Sequence, residues 1–363
     1  SLLVGTSGTG TLNAATRNIG VGVGVFAALT SGDNNTAVGS NALTTTTTAS
    51  DNVAIGRNAM EKNVSGATNA AVGSYSMACN TTGASNTAVG ADSLCANTTG
   101  ATNTAVGKAA LRANTTGSFN VSVGTNALVA NTTAEENTAV GFAALQDNTT
   151  AINNTAMGSE TMKATTTGAN NSGFGKGALR FNTTGADNAA VGRQALQSNT
   201  TGAQNVAMGT CALFTQSSGG NSNVSVGNYS MKLNTTGDNN VAVGYSALCK
   251  NTTAGSNTAV GHSALFDNTT GGTNTALGTS SLENNTTGGS NIAVGYNSLS
   301  SNTTGANNVA VGYSALALNN TGENVAVGNH AFKSGTSAAG GVAVGHCAGA
   351  GITSGANNIA IGK

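Results

Sequence analysis

A glycine that returns once every 17 residues constrains this chain more than any other feature. It closes a five-residue phrase, Asn308-Val-Ala-Val-Gly312 in its cleanest copy, and 22 such glycines run from Gly5 to Gly362. Every gap is 17 except one of 18, Gly209 to Gly227, and one of 16, Gly312 to Gly328, so the two slips cancel. A fixed period of this length marks a solenoid, in which each repeat is one coil that buries its apolar face only against its neighbours. The chain of 363 residues therefore reads as one elongated repeat domain, 1–363, rather than as several globular domains. Its opening, Ser1-Leu-Leu-Val-Gly5, is already in frame and neither end carries an obvious cap. The segment is thus expected to belong to something longer or to stack end to end.

The phrase fixes which side chains recur. The residue before the glycine is apolar in all 22 repeats, as in Val294 and Val311, and reads as a core column. Two places before the glycine the residue is Ala, Ser or Gly in 21 of 22 repeats, Leu3 being the exception. Neighbouring strand residues point to opposite faces, so this small column belongs on the other side of the sheet. It is expected to be approached closely, by another chain or by a second layer of the same coil. Four places after the glycine comes Leu or a substitute, as in Leu299 and Leu316, behind a small residue; this is the second expected core column. The pattern does not continue as a helical face, and Gly, Asn and Thr are poor helix formers. The expected class is all-β, a parallel β-solenoid (β-roll or β-helix) of about 21 coils with 17 residues per coil. Each coil should hold a strand through Asn-Thr-Ala-Val-Gly, a turn, a shorter strand through Ala-Leu, and a Thr-rich return.

Asn opens the phrase in 20 of 22 repeats. Asparagines stacked at the ~4.8 Å strand spacing can hydrogen-bond along the axis as in a cross-β ladder. Asn291, Asn308, Val294, Val311, Leu299, Leu316, Gly295 and Gly312 are accordingly the expected structural columns. A second polar run, Asn-Thr-Thr-Gly, as at residues 97–100, lies opposite in the coil and ends on a small residue at a sharp bend. Both length slips are assigned to the corner after that run, at Gly220-Asn-Ser222 and at Glu323, and a corner that absorbs them reads as a solvent loop.

Only 7% of residues are charged, 13 basic against 13 acidic, which removes the electrostatic footprint of a nucleic-acid or anionic-membrane binder. The charges keep to positions just after the glycine and at the bends, as at Arg57, Asp92, Arg112, Asp147, Asp187 and Asp238; none falls in a core or ladder column. No run of 18 apolar residues is present, so no membrane span and no signal peptide are expected. The five cysteines are odd in number and lack metal-type pairing. Cys79 and Cys95, on successive coils, are the one candidate disulfide, with free thiols the alternative.

The phrase Asn-Ser/Thr/Val-Val/Ala-Ala/Val-Ile/Val-Gly, followed by a small residue and an apolar one, resembles the head repeats of trimeric autotransporter adhesins, the YadA-like family. It is also similar to Asn-Thr-Ala-Val-Gly repeats of phage and virus tail fibres. The likeness covers nearly all of the chain, although the coil here is longer by the Asn-Thr-Thr-Gly segment. It implies parallel β-rolls packed as homotrimers on a cell or virion surface outside the cell, the end-to-end filament being the arrangement expected from the uncapped ends. It also implies a cell-surface or matrix ligand and would make the alanine column the face between chains.

No catalytic constellation is visible, and no cofactor or metal site is expected. His262, His330 and His346 occupy variable outward positions and read as lying on widely separated coils, without a carboxylate or Cys at ligand spacing. Acids collect at the corner (Asp33, Asp51, Glu135, Glu136, Asp187, Asp238, Glu323), as a cation site or as a solvated edge that blunts pairing. Tyr245, Tyr296 and Tyr313 share one outward column and are candidate ligand-facing residues, the alternative being scattered surface aromatics. The Asn-Thr-Thr triplets are glycosylation acceptors in a eukaryotic secretory pathway. Together these features predict a non-catalytic extracellular fibre or adhesin; the alternative is an ice-binding solenoid whose regular Thr columns, Thr81-Thr82 and their equivalents, order water.

Overall fold

The computed structural model describes residues 1–4, 14–336 and 339–363; Gly5, the first glycine of the series, lies outside the described residues. The chain forms two units, Ser1–Thr184 and Gly185–Lys363, built on one plan. Strands of three residues recur once per coil, from Leu2–Val4 to Ser172–Phe174 in the first unit and from Ala189–Val191 to Ile359–Ile361 in the second, and no helix occurs among the described residues. Within each unit strands pair in parallel with like residue opposite like: Thr87 faces Thr104, Ala88 faces Ala105 and Val89 faces Val106. Each unit is a parallel β-solenoid with 17 residues in the regular coil.

The repeat glycine is demanded by the backbone. Gly90 has φ 137°, and a Cβ added there would stand 2.5 Å from the carbonyl oxygen of Gly107 in the next coil. That conformation and that closeness both exclude a side chain.

From the glycine onward the chain turns, and among the described residues the expected second strand through Ala-Leu does not form. Asp92 (φ 56°) and Leu94 (φ 49°), with their equivalents in other coils, are left-handed. Such a residue costs roughly 1–2 kcal/mol when it is not glycine. It is held because the inter-coil ladder continues through the turn: Leu94 N donates to Ala110 O at 2.9 Å and Ala96 N to Arg112 O at 3.0 Å. The leucine column, including Leu299 and Leu316, is completely buried, each side chain contributing about 1.5–3 kcal/mol.

Inside and outside on the strand are the reverse of the expectation. The alanine column is fully buried, as at Ala88, Ala105 and Ala310, while the valine column faces outward: Val106 is 36% exposed, and Val294 and Val311 are half-buried. Val294 and Val311 are therefore structural residues of the sheet but not of the core. The reason is the thinness of the coil, whose strand packs directly on its own turn. A Cβ at Gly173, which occupies an alanine-column place, would lie 2.8 Å from Thr161 Cγ2 and 2.9 Å from Met162 Cε. Ser122, in the same column, donates from Oγ to Ala127 O at 2.8 Å. The close neighbour of the small column is thus the second layer of the same coil, so that column is not a face between chains.

Two asparagine ladders brace each unit. Asn308 N and Nδ2 both donate to Asn291 Oδ1 at 3.0 Å, and Asn86 Nδ2 also crosses its own coil to Gly100 O at 2.9 Å. The second ladder runs through the head of Asn-Thr-Thr-Gly. Asn97 Nδ2 donates to Asn80 Oδ1 at 2.8 Å and to Gly100 O at 2.9 Å, and Thr98 Oγ1 donates to Thr115 O at 3.0 Å in the coil beyond. Both ladder asparagines are fully buried, and pairing satisfies polar groups that would otherwise be costly there.

The length slips sit inside the Asn-Thr-Thr-Gly turn and not at the corner after it. Gly220 O accepts from Asn205 Nδ2 at 2.9 Å, the bond that Gly100 O takes from Asn86 in a regular coil. Gly220 is therefore the turn-ending residue, and the extra residue lies among Ser217, Ser218 and Gly219. Gln216 replaces Asn in the second ladder, and its additional methylene lets Nε2 reach Gly220 O. In the short coil Asn308 Nδ2 donates to Thr321 O at 2.8 Å, so Thr321 ends the turn. The corner keeps its left-handed residue in both, Ser222 (φ 56°) and Glu323 (φ 65°). Its amides are fixed to the preceding coil, Ser222 N to Ala203 O at 3.1 Å and Glu323 N to Ala306 O at 2.9 Å.

Candidate functional site

With the alanines turned in, the columns on either side of them turn out and form the outer face of the sheet in each unit. Val53, Ile55, Val89 and Met157 in the first unit, and Met208, Leu277, Ile292 and Val327 in the second, are exposed there. None of the 13 basic and 13 acidic side chains occupies these columns. The charges lie elsewhere on the surface, and no Asp, Glu, Lys or Arg among the described residues is buried. A sheet face that exposes apolar side chains in coil after coil without a charge is the kind of patch that marks an interaction surface.

Aromatic rings border that face immediately after the repeat glycine. Tyr245, Tyr296 and Tyr313 are exposed, as expected. The structure brings Tyr296 and Tyr313 together, stacked at 5.2 Å and 15°, but does not join Tyr245 to them. Tyr245 stacks instead on His262 at 5.4 Å and 13° and meets Tyr229 edge-on at 5.9 Å. His330 meets Tyr313 edge-on at 5.2 Å. Two short aromatic rows result, and the histidines belong to them, which the sequence reading missed by treating His and Tyr as separate classes. Tyr245 with His262 and Tyr296 with Tyr313 stack face to face one coil apart, whereas Tyr229 and His330 meet their rows edge-on.

The remaining polar groups are dispersed. His330 and His346 lie on successive coils and not on widely separated ones as expected, and Cys347 Sγ is 3.9 Å from His346 Nε2. Among the described residues, however, no three His, Cys, Asp or Glu side chains converge as they would around a metal ion, and no helix is long and apolar enough to cross a membrane. All five cysteines are free, the candidate pair Cys79 and Cys95 being joined only through their backbones, N to O at 3.0 Å. Burial pushes the Cys95 and Cys249 thiols up. Hydrogen bonds from the Thr16 amide and hydroxyl hold the Asp33 carboxyl below its ordinary value. The Asp267 carboxylate, 2.6 Å from Lys250 Nζ, raises that ammonium.

The exposed member of the Thr-Thr pair, as at Thr82, Thr99 and Thr116, forms a further uncharged outward column, whereas its half-buried partner donates to the next coil. Compared with known proteins, the chain matches no family model and no curated protein sequence.

Proposed function

We propose that this chain is a non-catalytic structural element of an extracellular assembly, a fibre or adhesin on a cell or virion surface. Copies pack through the outer sheet face, as a homotrimer or in filaments that also stack end to end. The observation that carries this reading is the charge-free apolar face, which repeats with the period of the coil. A surface of that period is matched along its length by a second copy of itself, and it offers no charge to select nucleic acid or an anionic lipid. In such an assembly the variable bend columns and the aromatic rows, Tyr245, Tyr296 and Tyr313 among them, are left to meet a cell-surface or matrix ligand.

Light scattering after size exclusion, with electron microscopy of the same fractions, tests this. Oligomers or filaments are expected. Placing Val106→Lys and Val243→Lys in the outer face should reduce the particles to monomers while leaving the far-ultraviolet circular dichroism unchanged. Monomers of the native chain at all concentrations sink the reading. The ice-binding alternative draws on the exposed Thr99 column. Thermal hysteresis that disappears on replacing successive members of that column with Lys would favour it, and no hysteresis at high protein concentration removes it.

A further inference from the structure

The second ladder is built from residues that are also N-glycan acceptors. Asn97-Thr-Thr99 and its equivalents, once in almost every regular coil, fit the Asn-x-Ser/Thr acceptor pattern. Oligosaccharyl transfer joins Nδ2 of such an asparagine to the anomeric carbon of a lipid diphosphate-linked oligosaccharide. The C1–O bond to the lipid diphosphate breaks, the C1–N bond forms, Nδ2 gives up one of its two protons, and the lipid diphosphate leaves.

In this fold both protons are already committed. Asn97 Nδ2 donates to Asn80 Oδ1 and Gly100 O, and Asn268 Nδ2 donates to Asn251 Oδ1 at 3.0 Å and Gly271 O at 2.9 Å. The side chains are completely buried, and the regular turn ends on Gly, as at Gly100, or at most on the methyl of Ala134 or Ala151. A bulky, hydrated glycan has no place there, and moving the asparagine out to accommodate it would strip partners from two neighbouring coils. Acceptors at the corner differ. Asn34, in Asn34-Asn-Thr36, and Asn153, in Asn153-Asn-Thr155, are exposed.

We propose that an N-glycan on a turn asparagine and the native coil are mutually exclusive, so that this chain folds only when it is made beyond the reach of Asn-x-Ser/Thr glycan transfer. The burial that excludes the sugar does not protect the unfolded nascent chain, in which each turn asparagine is accessible, so transfer would precede coil formation.

The test compares the native chain with one in which the Ser or Thr of every buried acceptor triplet is replaced, Thr99→Ala and its equivalents together with Ser122→Ala and Ser225→Ala. Both are made in bacterial cytosol and also secreted from yeast. In bacteria both should be protease-resistant and rich in β-structure. From yeast, the native chain should emerge at least tenfold depleted in protease-resistant material, with glycans mapped to Asn97 and its equivalents, and the substituted chain should emerge folded. Tunicamycin, which removes the glycan donor, should rescue the native chain and decides the matter even if the substituted chain folds poorly. Secretion of the native chain from untreated yeast in protease-resistant form at the yield reached with tunicamycin, with or without glycans at Asn97 and its equivalents, overturns the proposal.

Discussion

At Thr165 the second ladder is interrupted. Asn148 Oδ1 and Thr165 Oγ1 are both buried without a hydrogen-bond partner, because the threonine is too short to span the step between coils. Thr165→Asn should restore the step and raise stability by about 1–2 kcal/mol, read as a higher denaturation midpoint; a lower midpoint would show that the ladder does not govern packing here. A second comparison tests the direction of the strand. Ala105→Leu overfills the interior and should cost about 1–3 kcal/mol or more, whereas Val106→Thr on the outer face should change the stability of the separated chain by less than about 0.5 kcal/mol. The residue types in the sequence identified the ladder at Asn291 and Asn308 and the buried Leu316. They did not identify which strand face was inner, because the rule that large apolar side chains go inside fails where the coil leaves room for a methyl group only. The second ladder had a signal, the Asn that heads nearly every Asn-Thr-Thr-Gly, but Asn at a bend is also explained by turn preference alone.

The elements differ sharply in what they tolerate. A strand of three residues has its faces set by alternation, so removing Ala105 would bring Val106 into the inward place and Gly107 into the outward one and should abolish cooperative unfolding of that coil. Removing Thr99 acts within the turn that already exists in long and short forms, at Ser217–Gly219 and at Asn319–Thr321. That deletion should keep the circular dichroism spectrum and lower the melting temperature only modestly. The sequence placed both slips one element too late, since counting back from the next Asn cannot distinguish a turn residue from a corner residue when both are small and polar. Only the carbonyl that receives the cross-coil bond makes that distinction. In the same way, the pair Ala315-Leu316 carries no alternation by which a turn with left-handed residues could be told from a strand.

On the scale of the whole molecule, electrostatics contributes little to stability because no Asp, Glu, Lys or Arg among the described residues is buried. Asp33, held below the ordinary carboxylate value by the Thr16 amide and hydroxyl, favours the folded state above that ordinary value, and the contribution is lost as pH falls through the depressed folded value. Cys95 and Cys249, raised by burial, and Lys250, raised by the Asp267 carboxylate, favour it at low pH, and their contributions are lost as pH rises through the raised folded values. Thermal melts should therefore give a plateau between about pH 5 and pH 9 with declines on both sides; a steep change across neutrality would contradict it. The register described for Thr87 and Thr104 has a kinetic corollary. Every coil finds its bonding partners one period back, and one period over the chain length is about 0.05, below the relative contact order of helical bundles. A growing polypeptide need emit only one more repeat for the next layer to settle on the last, so assembly can keep pace with the ribosome without any distant segment having to arrive first.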